Sequence, residues 1–134
     1  MLYINTITIR FALAIIMLMH SLPSFLTMDV LSFGSDYLAH QGFGVLGVPL
    51  AIIIKLIQLL TAPALIFNKY VKIFSALNIV ILVAGIFMIH IFEGWYVVGG
   101  GRNGVEFNFI LIFIFLSFIF PNGIQKSKLV SVKN

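Results

Sequence analysis

The chain has 134 residues, 61% of them hydrophobic and 9% charged, with a net charge of +4 and no cysteine; its mean hydropathy is +1.16. Soluble domains carry about 25% charged residues, so this composition cannot cover a water-facing surface, and it reads as one integral membrane domain. The missing cysteines exclude disulfides, thiolate catalysis, Cys-ligated metals and iron–sulfur clusters made by this chain alone.

The first predicted element covers about 9–28. Arg10 precedes its apolar run, and "HSLPSFLTM" offers no small-x-small cleavage site, so the segment is expected to be a retained helix rather than a signal peptide. Three further apolar runs cover about 48–67, 71–91 and 105–120. A membrane helix needs roughly 20 residues, about 17–25 in practice. The first three runs meet this length, and the fourth does if it starts near Asn103. Pro23 and Pro63 fall inside the first two runs, where neighbouring helices can satisfy the freed carbonyls. The segments between spans, about 27–47 and 92–104, read as loops, and 121–134 reads as a tail.

The charges orient these spans. Arg10, Lys69, Lys72, Lys126, Lys128 and Lys133 lie on one side with no acid. Asp29, Asp36, Glu93 and Glu106 lie on the other, with Arg102 as the loop cation. The positive-inside rule places the basic side in the cytoplasm. The expectation is an all-α, four-transmembrane-helix bundle, N-in and C-in, with the two longer loops outside. The basic residues do not share one amphipathic face, so they mark topology rather than a nucleic-acid surface.

"WYVVGGGRNGVEFNF" (95–109) contains Gly99, Gly101 and Gly104 in the G-x-G-x-x-G spacing of a dinucleotide-binding turn. That turn belongs to a strand–helix–strand unit on a parallel sheet. Here an apolar helix stands on either side, and no acid follows Glu106 to take a ribose hydroxyl. The match is therefore read as coincidental, with no nucleotide expected. The glycines serve a tight outer loop, and Trp95 and Tyr96 suit the membrane–water boundary.

Polar groups inside spans are costly and often functional. At 1.5 Å per helical residue from the basic side, His20 stands about 15 Å up and Gln58 about 16 Å. On the same scale Asn108 stands at about 20 Å, Lys55 at about 21 Å, Glu106 at about 22 Å and His90 at about 27 Å. Equal depth pairs Lys55 with Glu106 and His20 with Gln58. Lys55 and Gln58 share a helix face, as do His20 and Ser24. Together these residues would line an outward-opening polar pocket. Each also has a plain structural reading: Lys55 snorkelling, His20 bonding a backbone carbonyl, His90 interfacial, and Glu106 pairing with Arg102 four residues before it. His20 and His90 stand too far apart in depth to share one haem, and no metal site is expected. No Ser-His-Asp spacing is present. The phenylalanines of the fourth span lie on all its faces, as lipid and packing contacts or as walls for an apolar tail such as a quinone's.

"RFALAIIMLMHSLPSF" (10–25) resembles the first helix of the DoxX family, which has an Arg near its start and a His-Gly-x-x-Lys-like end. "LGVPLAIIIKLIQLL" (46–60) resembles the family's second helix, which usually carries a glutamate where this chain has Lys55. "GGGRNGVEFNFILI" resembles the start of its fourth helix, where an acid such as Glu106 is common. The resemblance runs over about 10–123. It implies a small four-helix protein of the bacterial cytoplasmic (inner) membrane, acting as a membrane subunit of a redox complex and binding quinone or a similar lipid-soluble molecule. The alternatives are a non-catalytic scaffold or assembly subunit and, less favoured, a small transporter. Expected partners are membrane lipids and other membrane subunits or further copies of the chain.

Overall fold

The computed structural model describes residues 6–123, and all of its regular structure is helical. The expected tail falls mostly on residues 124–134, outside the described residues. Four helices carry the apolar runs: α1 (Ile7–Leu26), α2 (Gly47–Phe67), α3 (Val71–Met88) and α4 (Val105–Ile119). Three helical stretches are long and apolar enough to cross a membrane, Ile7–Leu26, Asp29–Phe67 and Val71–Met88; Val105–Ile119 is apolar but shorter. Long unbroken runs of Leu, Ile, Val and Phe leave the backbone no partner except itself in an apolar medium, which favours helix.

The ends follow from local chemistry. Met28 takes a left-handed conformation after α1 (φ 62°). Asn68 does so after α2 (φ 55°), and the Lys69 amide donates back to the Ala64 carbonyl at 3.0 Å, a Schellman-type close. The backbone breaks at Ile89 (φ −125°, ψ −62°), two residues before the expected end of the third span, and a 3-10 turn, His90–Glu93, folds over the end of α3.

Residues 29–46, expected to be a loop, are helical instead. A short α-turn (Asp29–Ser32) runs into a π-helical stretch (Phe33–Phe43) and a 3-10 turn (Gly44–Leu46), and positive φ at Gly42 and Gly44 turns the chain into α2. Tertiary contact stabilises this segment more than local propensity does. Gly34 and Gly47 let the two backbones touch: a Cβ on Gly47 would meet the Gly34 carbonyl oxygen at 2.3 Å, and one on Gly34 would meet the Val48 Cα at 2.4 Å. Tyr37 Oη donates to the Met88 carbonyl at 3.0 Å, tying the segment to the last turn of α3, where carbonyls lack helical partners.

Backbone packing is closest between α1 and α2, then between α3 and α4, with α2 against α3 joining the two pairs; α1 and α4 meet only through side chains. Leu13, Ala14, Met17, Ala62, Leu65, Leu82, Leu111 and Phe115 form the main core. Polar groups inside it bond between and within helices. Asn78 Nδ2 donates to Thr61 Oγ1 at 2.6 Å, and Ser21 Oγ donates to the Met17 carbonyl at 2.7 Å. Such interhelical contacts contribute about 0.6 kcal/mol each on average. Phe115 is fully buried, while Phe109, Phe113 and Phe120 point outward with most of the large apolar side chains of the exterior.

Candidate functional site

The glycine-rich loop closes onto α4. The first two amides of α4, Val105 and Glu106, donate to the carbonyls of Gly94 and Trp95, both at 3.0 Å. A dinucleotide turn aims such amides at a pyrophosphate; here the loop's own carbonyls occupy them. Glu106 Oε1 accepts from the Val97 amide at 2.8 Å, which places a carboxylate at the positive end of the helix. Gly104 is required for this closure, because a Cβ would meet the carbonyl oxygens of Trp95 and Tyr96 at 2.4 Å. Trp95 also packs its ring on Phe109, 5.5 Å between centroids, so it fastens the loop as well as facing outward; Tyr96 is exposed.

These bonds correct two expected pairings. Glu106 does not meet Lys55: Lys55 Nζ donates to the His20 carbonyl at 2.7 Å and lies 5.7 Å from the centre of the Phe33 ring, so it neither pairs with the acid nor snorkels outward. Arg102 does not pair with Glu106 either, but reaches Glu93 at 3.9 Å in an exposed contact. Matching depth placed Lys55 and Glu106 at one level but not on facing sides of the bundle.

His20 and Gln58 do not bond each other. The His20 ring meets Phe107 of α4 edge-on, 6.0 Å between centroids, and its exposed side lies at the α1–α4 seam. Gln58 instead lies on the core face of α2 with Thr61 and Leu65, and its buried Oε1 has no hydrogen-bond partner among the described residues. Ser24 is half-buried one turn after His20.

His90 sits lower than its sequence depth implied. Its ring folds back over Gly85, about 4 Å from where a Cβ would stand, and Nδ1 donates to the Asn103 carbonyl. Asn108 shares that floor and donates to the Leu82 carbonyl at 3.4 Å. His20 meets Phe107, and the next residue of α4, Asn108, stands with His90 beside Gly85, while Lys55 reaches the His20 carbonyl. So His20, Lys55, His90 and Asn108 gather around one level between the helices, with Phe107 and Phe33 as apolar walls. All four side chains supply nitrogen donors, and Glu106 is engaged with the loop. Among the described residues there is no group of three or more His, Cys, Asp or Glu side chains that could hold a metal.

The opposite end holds a feature that sequence reading passed over. Arg10, taken only as a topology marker, is 8% exposed and donates to the Leu65 carbonyl at 3.5 Å. It lines a pocket of about 640 Å³ between the start of α1, the α2–α3 turn and the end of α4. The signal available in sequence was its place inside a helical apolar run, one turn before Leu13 and Ala14. Comparison of the chain with protein-family models, with curated proteins and with solved structures finds no match.

Proposed function

We propose that the chain is a four-span, DoxX-like inner-membrane protein with both termini in the cytoplasm. In this reading it is the membrane subunit of a redox complex and binds a quinone or a similar lipid-soluble molecule at the level of His20, Lys55 and His90. The observation that supports it is the gathering of nitrogen donors from three elements beside the α1–α4 seam, walled by Phe107 and Phe33. Quinone carbonyls accept hydrogen bonds and their rings stack on aromatics, so the chemistry is complementary. Gln58, one turn from Lys55 on the core face of α2, carries a buried acceptor with no hydrogen-bond partner among the described residues.

Binding of a short-chain quinone to the purified protein tests this directly. Saturable binding is expected, weakened about tenfold in Lys55→Met, the usual loss for one hydrogen bond to a charged donor. Absence of saturable binding, with no quinone among the co-purified lipids, would reject it. A periplasm-active reporter fused after Asn134 should stay silent; a strong signal would reverse the orientation.

A second reading has its own support. Lys55, His90 and Glu106 each already bond a backbone group, which is what a scaffold subunit needs to hold its loops. Under that reading Lys55→Met lowers stability and leaves quinone affinity at background in both proteins.

A further inference from the structure

We infer that the glycine-rich loop 92–104 is seated in the lipid at the boundary level of the leaflet it faces, where it completes the short fourth span. The inference rests on the four-span reading and is independent of any quinone role. α4 has 15 residues, against 20 in α1 and 21 in α2. At 1.5 Å per residue it is about 22 Å long, whereas the hydrocarbon core of a bilayer is about 30 Å thick. The helix alone therefore leaves about 8 Å without a spanning element. A short span is accommodated by thinning the bilayer, by flanking residues or by association; here the flanking loop supplies the missing length.

The loop lies in line with the helix. The first amides of a helix point away from it along its axis, and those of Val105 and Glu106 meet the carbonyls of Gly94 and Trp95. This part of the loop is thus stacked on the end of α4. Its aromatic surface also continues that of the helix. Trp95 packs on Phe109, and Phe109 on Phe113 at 4.8 Å between centroids, and all three rings are exposed on the outer side. Lipid that covers Phe113 and Phe109 meets Trp95 next.

The chemistry of the loop suits that level. Phe92 is 81% exposed and Val98 73%, with the exposed Trp95 and Tyr96 between them in the chain. Tryptophan and tyrosine favour the membrane–water boundary, where one end of the side chain is apolar and the other wet. Irregular backbone is kept out of lipid when its polar groups lack partners. Here the Val97 amide donates to Glu106, and the carbonyls of Gly94, Trp95 and Asn103 accept from Val105, Glu106 and His90. Arg102 and Glu93, paired with each other and exposed, mark the side of the loop that meets water.

Trp95 is the chain's one tryptophan, so the emission of the full chain in phosphatidylcholine vesicles reports on this loop alone. Lipid brominated near the headgroup end of its acyl chains should quench Trp95 more than lipid brominated near the chain ends. Iodide, present on both sides of the membrane, should quench it less than free tryptophan. A Trp95→Phe/Phe113→Trp chain moves the reporter to the exposed face of α4, about 12 Å into the helix, and there the order of the two brominated lipids should reverse. Free quenching of Trp95 by iodide with none by brominated lipid, while the Phe113→Trp reporter is quenched by lipid, would overturn the inference and leave the four spans standing. Lipid quenching at neither position would overturn both. Protection of Trp95 from iodide and from brominated lipid alike would mean that protein, such as a second copy of the chain, covers the loop, and would overturn the lipid assignment.

Discussion

Arg10 and Lys55 are both cations on long apolar helices, yet the molecule treats them differently. Lys55 lies among the acids and loops of its end, donating to the His20 carbonyl beneath Phe33. Arg10 lies at an end without acids, at the wall of a pocket. At the first end, polar side chains mainly bond backbone: Glu106 holds Val97, His90 holds Asn103 and Tyr37 holds Met88. At the second, polar side chains surround open volume. The contrast shows that both cations fasten a carbonyl of a neighbouring helix, Lys55 that of His20 and Arg10 that of Leu65, and that their surroundings decide whether a pocket stands beside them.

The sharpest way to break the first half of this comparison is to block the loop closures. Gly104→Ala and Gly47→Ala each force a Cβ to within 2.4 Å of a carbonyl oxygen. Each should destabilise by about 3 kcal/mol, at the upper end for overpacking. Gly85→Ala is the control, since its Cβ would make contacts of 3.5 Å or more. Thermal unfolding in detergent that treats all three alike would refute the account of the closures.

Next in size come the fastening bonds. Lys55→Met and Glu106→Gln should each lose about 1 kcal/mol, the ordinary net worth of a hydrogen bond. Because they serve different backbone groups, the double mutant should match the sum to within about 0.5 kcal/mol. A larger coupling would restore the direct pairing that the sequence suggested. Thr61→Val removes the acceptor for Asn78 and should lose about 0.6 kcal/mol; its effect should be absent in an Asn78→Leu background.

Much of the fold could be read from the sequence because helix positions in such a chain are set by uninterrupted apolar runs, and α1 to α4 lie within a few residues of their expected bounds. The helical character of 29–46 could not. "SFGSDYLAHQGFG" has a turn's composition, and its helix depends on the distant contact of Gly34 with Gly47. Depth along a helix was legible, but angle around the bundle was not. Lys55 and Glu106 therefore looked paired, and the folding back of His90 after Ile89 was hidden. The interior roles of Thr61, Asn78 and Arg10 were missed for a related reason: which face of a uniformly apolar helix turns inward is decided by its neighbours, not by its own pattern.

The smallest effect should come from the exposed charge pair between Arg102 and Glu93. Arg102 Nε approaches Glu93 Oε2 at 3.9 Å, with the two side chains 90% and 41% exposed. Water screens such a pair, and ordering two long side chains offsets most of the Coulomb gain, so exposed pairs contribute about 0–1 kcal/mol. Arg102→Gln should therefore change the unfolding temperature little, and added salt should leave the wild-type and mutant curves equally placed. The loop is fixed by the Gly94, Trp95 and Glu106 bonds, none of which involves Arg102. A large loss in Arg102→Gln, diminishing as salt rises, would mean that ion pairing rather than backbone capture holds this end. The contrast with the pocket around Arg10 would then have to be drawn in charge alone.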